Sequence, residues 1–179
     1  MPDLEELSSW RVREVVEAIG STAAAPGGGA ASAIAIALAA ACALKAVVLT
    51  LKHHPDAAGL PASAERLRQI ADEALQGAAD DATTFERLIL AYQRPHALEA
   101  EAEARRAAIR DEAAVAAEID ERLKRLASEV KAIVGPLQGR VDNNVRTDLA
   151  AALMLAGAGE RIQADNIALD RKAGSPTVG

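Results

Sequence analysis

The stretch Pro26-Gly27-Gly28-Gly29-Ala30-Ala31-Ser32-Ala33-Ile34-Ala35-Ile36-Ala37-Leu38-Ala39-Ala40-Ala41-Cys42-Ala43-Leu44 decides the fold, because it carries no charge and is built mainly of alanine. Alanine loses no side-chain entropy on entering a helix and is the strongest helix former, so the run predicts a helix rather than a strand. That helix should begin within the glycines and reach about His53, and its lack of charge before Lys45 predicts that it is covered on all sides. Three glycines leave backbone N–H groups uncovered, and the helix start adds its own unpaired donors and positive dipole end. Such a segment serves either as a plain turn that permits close packing or as a seat for an anionic or carbonyl-bearing ligand.

Outside this stretch the composition points the same way. Half of the 179 residues are hydrophobic but only 2% are aromatic. An apolar mass made of Ala, Leu, Val and Ile favours helix–helix packing over a sheet core, which predicts an all-α fold in a single domain over residues 1–179. The balance of 20 basic against 26 acidic residues, interspersed along the helices, gives a net charge of -6 and argues against nucleic acid as a partner. The single cysteine, Cys42, excludes an intrachain disulfide and fits a reducing cytoplasm. A membrane span is disfavoured: the one candidate, residues 30–51, is dominated by Ala and interrupted by Lys45. Asp3, Glu5, Glu6, Glu14 and Glu17 precede it, the wrong charge for a signal peptide. The expectation is a cytoplasmic protein.

Around the central helix, four further helices are predicted. Ser9 is placed to cap a short first helix over about Trp10 to Ile19, with Val12, Val15, Val16 and Ile19 on one face and Gly20 as the stop. A third helix is expected from about Ala62 to Gln93, ended by Arg94-Pro95, and a fourth from about Ala97 to Val134, closed by Gly135-Pro136. The fourth carries Val115, Ile119, Leu123, Leu126, Val130 and Ile133 at three- and four-residue spacing. The last spans about Val145 to Leu169, and the tail from Gly174 to Gly179 reads as loosely held. Long helices with short connections pack as an up-and-down bundle, and an Ala-lined helix with little bulk invites a partner subunit, so a homodimer is expected.

One carboxylate stands out. On the third helix the core stripe reads Leu67, Ala71, Ala74, Ala78, Asp81, Phe85, Leu88, Tyr92, which places Asp81 on the buried line. A carboxylate in low-dielectric surroundings has a raised pKa and suits proton exchange near neutrality, unless it is simply a paired core acid. Its neighbour Asp80 points elsewhere and reads as solvated. Asn143, Asn144, Thr147 and Asp148 gather at the start of the last helix, either to cap it or to line a pocket shared with the glycine turn; Asn166 is ambiguous in the same way. His53 and His54 read as helix-end residues rather than metal ligands, and the glycines lack the Gly-Lys-Ser/Thr ending of a phosphate loop. The charged segment from Glu99 to Arg110 reads as a solvated face, with a basic residue available to the acidic tail of a ligand.

In order along the chain, Ala25-Pro26-Gly27-Gly28-Gly29-Ala30-Ala31-Ser32-Ala33, Leu49-Thr50, Asp81-Ala82-Thr83-Thr84-Phe85, Ala91-Tyr92-Gln93-Arg94-Pro95, Asn144-Val145-Arg146-Thr147-Asp148 and Asn166-Ile167 form one pattern. It resembles the formiminotetrahydrofolate cyclodeaminase and methenyltetrahydrofolate cyclohydrolase family over nearly the whole chain. The resemblance implies an all-helical, intertwined dimer acting on a folate one-carbon group, with no cofactor or metal beyond the tetrahydrofolate substrate. It implies that Asp81, four residues before Phe85, is catalytic. It further implies that the turn Pro26, Gly27, Gly28 and Gly29 holds substrate, and that Asn144, Thr147 and Asp148 line the folate pocket. Three departures accompany it: Ala30 where Ser is frequent, Val48 where Asn is frequent, and Val141-Asp142 where Gly-Asn is expected. Each removes a hydrogen-bonding group or changes one, which leaves a non-catalytic folate-binding or helical scaffold protein as the alternative.

Overall fold

The computed structural model describes residues 3–175, and among them five helices and two 3-10 turns carry the chain with no strand. The helices are α1 (Val12–Ile19), α2 (Gly28–His53), α3 (Leu60–Tyr92), α4 (Glu99–Leu137) and α5 (Arg146–Ala173). The 3-10 turns cover Leu4–Ser9 and Asn143–Val145. The all-α expectation holds. Ion pairs show that neighbours run antiparallel: Arg66 to Glu129 and Asp80 to Arg122 join α3 to α4, while Lys131 to Glu160 and Arg171 to Glu121 join α4 to α5. Helices α2 to α5 thus rise and fall in turn, with α2 packed on both α3 and α5.

Small side chains make that packing close. Ala33, Ala39, Ala40, Ala43 and Ala46 of α2 are fully buried, and the bulk between helices comes from Leu67, Ile70, Leu123, Val130 and Val134. A Cβ at Gly159 of α5 would stand 2.6 Å from Ile36 Cγ1 of α2, inside van der Waals contact, so the two helices approach at a distance that alanine would prevent. The far end of α2 is tied down by polar contacts. Thr50 Oγ1 accepts the Asp142 N–H at 3.0 Å, and His53 Nδ1 lies 2.6 Å from Asp142 Oδ2. His53 and His54 both face Asp142.

Several local expectations are corrected. Helix α2 is not covered on all sides: Leu38 is 52% exposed and Met154 of the adjoining α5 is 75% exposed, so one apolar side of the α2–α5 pair faces outward. By length and composition α2 is apolar enough to cross a membrane, yet its packed alanines make it the core helix of the bundle. Ser9 does not cap α1. It belongs to the first 3-10 turn and donates to the Glu6 carbonyl, while Glu14 accepts the Arg11 N–H at the true start of α1. Helix α1 buries no residue, leaving Val12 and Val16 exposed, because among the described residues no other helix covers its apolar face. Helix α3 begins at Leu60 with Pro61 in its first turn, where the missing N–H costs nothing. Helix α4 begins at Glu99, where Glu101 accepts the N–H groups of Ala97 and Leu98. Its last turn includes Pro136 and ends at Leu137. The tail residues 176–179 lie outside the described residues.

Candidate active site

The glycine turn and Asp81 meet where α2 begins. Ala25 and Pro26 are buried beneath the turn, joined by a cis peptide, and Gly27 stands at the N-cap. At Gly29 a Cβ would overlap the Asp81 carboxylate, so only glycine lets α3 bring this acid against the first turn of α2. Asp81 accepts a hydrogen bond from the Ala30 N–H, one of the donors a helix start leaves without a partner of its own. A carboxylate at a helix N-terminus is stabilised as the anion. Burial acts the other way and is stronger, and with the nearby Asp170 it pushes the Asp81 pKa up to about 6. The sequence stripe therefore located a half-buried acid poised to exchange protons close to neutral pH.

Asp81 opens onto a cleft of about 370 Å³ whose walls come from four helices. Gly27, Gly28 and Gly29 form one wall, and Asp81 with Phe85 a second. Ala116 and Asp120 of α4 and Asn166, Leu169 and Asp170 of α5 complete it. Asn166, ambiguous in sequence, belongs to this cleft. So do two acids that sequence reading did not single out. Asp120 is only 2% exposed, and burial first, then a hydrogen bond with Asp170 and the charge of Asp81, holds its pKa well above the usual carboxylate range. Asn166 hydrogen-bonds it and pulls in the opposite direction. Burial raises Asp170 too, against the hydrogen bond from Asp120 that lowers it. Three carboxyl groups thus face one space, and among the described residues no Lys, Arg or His lines it.

Asp120 escaped notice because the buried line of α4 runs Ala113, Asp120, Leu123, Ala127, Val130 and Val134, with the half-buried Ala116 between the first two, and its alanines blur the contrast with the exposed side. Val115, placed on the core stripe by spacing, is 42% exposed. The four-residue interval from Asn166 to Asp170 was a signal within reach, since it sets both on one face of α5. Asp80 is not simply solvated, because Arg122 and Gln76 both hydrogen-bond it.

The other expected binding residues lie elsewhere. Pro26 supports the turn from behind and is not among the residues lining the cleft. Asn144 and Thr147 are exposed, and Asp148 accepts from Lys45 Nζ at 3.1 Å. Lys45 is 16 residues beyond Gly29 on the same helix, which places this group roughly 24 Å from the glycine turn within one chain. The two ends of α2 therefore do not share a pocket in the single chain. The basic residues of the charged segment are engaged locally: Arg106 pairs with Glu99 and Glu103, and Arg105 donates to the Tyr92 carbonyl.

An antiparallel helical bundle with an acidic cleft at the glycine-rich start of its central helix defines the class of protein. The model of the formiminotransferase-cyclodeaminase family matches residues 11–169, and the chain belongs to that family. Its fold is also similar to the crystal structure of formiminotetrahydrofolate cyclodeaminase from Thermotoga maritima, with a TM-score of 0.78 and 19% identity over 93% of this chain and 81% of that one. A search among curated proteins returned no match.

Proposed function

We propose that this protein is a folate one-carbon enzyme that closes a formimino group into the methenyl bridge of tetrahydrofolate with loss of ammonia, or opens that bridge with water. The observation that carries the reading is Asp81, a half-buried carboxylate with its pKa near 6, held by the Ala30 N–H at the mouth of the glycine turn. Family membership supplies the substrate class. Both reactions pass through a tetrahedral carbon and need protons moved between nitrogen or oxygen atoms, and Asp81 is placed to move them. Both also involve a cationic one-carbon unit, an amidinium or a methenyl bridge. A cleft with three carboxyl groups and no cation complements that charge. The backbone donors of Gly27 to Gly29 are available to a polar edge of the pterin.

The departures from the family pattern do not touch this arrangement. Ala30 meets Asp81 through its backbone N–H, so its side chain is not needed for that contact. Asp142 ties His53, His54 and Thr50 together at the opposite end of α2. Turnover is accordingly favoured over a folate-binding relic. No metal or cofactor beyond the folate enters this reading. A homodimer is supported by the outward apolar side of α2 and α5, where Leu38, Met154 and Ile162 are exposed. A role for Asn144, Thr147 and Asp148 in binding the same folate requires that second copy. A cytoplasmic site of action is the accompanying expectation.

The test follows the methenyltetrahydrofolate absorbance. Appearance of the chromophore from 5-formiminotetrahydrofolate faster than a buffer blank identifies a cyclodeaminase, and accelerated loss from the methenyl form identifies a cyclohydrolase. Neither change, with no folate binding, would overturn the proposal.

A further inference from the structure

We propose that Asp120 is the acid that delivers a proton to the departing nitrogen, in the same cleft where Asp81 acts as the base; this deepens the folate reading above and rests on it. The geometry begins with an unpaired atom. Asp120 is only 2% exposed, yet among the described residues its Oδ1 has no hydrogen-bond partner, while the residue lines the cleft beside Asp81, Asn166 and Asp170. A buried oxygen left unpaired is unfavourable in the free protein and is satisfied when a ligand brings a complementary atom.

The surroundings divide the labour between the two acids. Asp81 from α3 receives the Ala30 N–H of α2, a contact that favours its anion. Asp120 from α4 faces only carboxyl groups and an amide: Asp81 from α3 and Asp170 and Asn166 from α5, with no cation among the cleft residues. Neighbouring carboxyl groups do not all ionise together, and at Asp120 the Asn166 amide that favours the anion is outweighed by deep burial and by the carboxyl groups of Asp170 and Asp81, so it keeps the proton. Asp170 is half-buried and hydrogen-bonded to Asp120, which suits it to return a proton from solvent after each turnover.

In ring closure the N10 lone pair bonds to the formimino carbon as the C=N π pair moves onto the imino nitrogen. Asp81 takes the N10 proton and passes it to that nitrogen, leaving a neutral tetrahedral carbon that bears NH2. Asp120 then protonates the NH2 group, the C–N pair leaves with ammonia, and the N5 lone pair completes the methenyl cation. One proton is consumed, and Asp120 is left as the carboxylate until Asp170 reloads it. In the hydrolytic reaction a water oxygen bonds to the bridge carbon as Asp81 takes one water proton. The C–N5 pair then leaves with N5, which takes the Asp120 proton, as the hydroxyl proton is lost to solvent and the formyl C=O forms, so one proton is released overall.

The deciding experiment measures kcat against pH on whichever of the two substrates the wild type turns over, for the wild type, Asp120→Asn and Asp170→Asn. Binding of 5-formyltetrahydrofolate, a stable folate, is measured by calorimetry alongside. Asn at position 120 keeps a donor toward Asp170 but has no proton to transfer. Asp120→Asn is expected to lower kcat at least ~100-fold and abolish the alkaline limb, with 5-formyltetrahydrofolate affinity kept within about threefold. Asp170→Asn removes a group that raises Asp120, so its alkaline limb is expected to move to lower pH, a shift that a merely structural role does not produce. An Asp120→Asn enzyme with kcat within about threefold of wild type and an unmoved limb would overturn the assignment. Loss of 5-formyltetrahydrofolate binding in Asp120→Asn together with an unmoved limb in Asp170→Asn would overturn it as well. A wild type that neither binds that folate nor turns over would instead remove the folate reading on which the assignment stands.

Discussion

At Gly29 a single methyl group would overlap the Asp81 carboxylate, so Gly29→Ala must push either α3 or the acid itself away from the first turn of α2. The expected result is a loss of about 1–3 kcal/mol in stability from overpacking, together with a kcat reduced more than the folding loss explains, measured by urea unfolding and steady-state kinetics. Gly28, where a Cβ meets nothing within 4 Å, is the matched control, and Gly28→Ala is expected to keep the stability of the parent. Asp81 was legible because its stripe contains Leu67 and Leu88, both buried, whose size makes the periodicity visible. Asp120 was not, because its neighbours on that side of α4 include the buried Ala113 and Ala127 and the half-buried Ala116, as small as the alanines on the outer face. Hydrophobic contrast locates a buried acid only where the apolar residues differ from what surrounds them.

Among the elements, the seam between α2 and α5 fixes where the glycine turn sits. Gln163 is fully buried, and its Nε2 lies 2.5 Å from Ser32 Oγ and 3.4 Å from the Gly29 carbonyl, while Ser32 Oγ donates to the same carbonyl at 2.8 Å. Truncation by Gln163→Ala leaves those acceptors buried and opens a void, so a loss of about 2–4 kcal/mol is expected in chemical denaturation. Because the bonds end on Gly29, the same change is expected to loosen the turn and raise KM. Sequence periodicity found all five helices and set their ends within a few residues, since Gly59, Pro95 and Gly174 lie at real breaks. It misplaced the cap of α1, which Glu14 and not Ser9 provides, and it misjudged the outer side of α2 because an apolar face tells what wants to be covered and not what covers it. Asn144, Thr147 and Asp148 join the turn in one pocket only through the family resemblance, since their polar chemistry alone fits helix capping equally well. The length of α2, roughly 39 Å for its 26 residues, keeps them apart in one chain.

For the whole molecule, the cleft acids leave a signature in stability. Asp81, Asp120 and Asp170 all have folded pKa values above that of an unfolded carboxyl group. Between about pH 4 and pH 8 the native state therefore binds more protons than the unfolded chain, and stability from this site falls as pH rises. Asp120→Asn removes much of that dependence, and at pH 8 it is expected to raise the melting temperature by about 3 °C or more, read by calorimetry. An acid that stabilised the fold as an anion would give the opposite sign. Assembly offers a second molecular test. If one folate pocket combines Asp81 of one subunit with Asp148 of another, the inactive variants Asp81→Asn and Asp148→Ala should restore each other when refolded together, to roughly a quarter of wild-type activity for random pairing in a two-fold dimer. Sites complete within one subunit would show no such recovery.

The most direct measurement of the central claim is the rate of methenyltetrahydrofolate appearance from 5-formiminotetrahydrofolate, followed by absorbance for the wild type and Asp81→Asn across pH 5 to 8. The account expects wild-type kcat/KM to climb as pH rises through about 6, where Asp81 loses its proton, and expects Asp81→Asn to lose at least ~100-fold at every pH. An active wild type matched by an equally active Asp81→Asn, with the same pH profile, would contradict it.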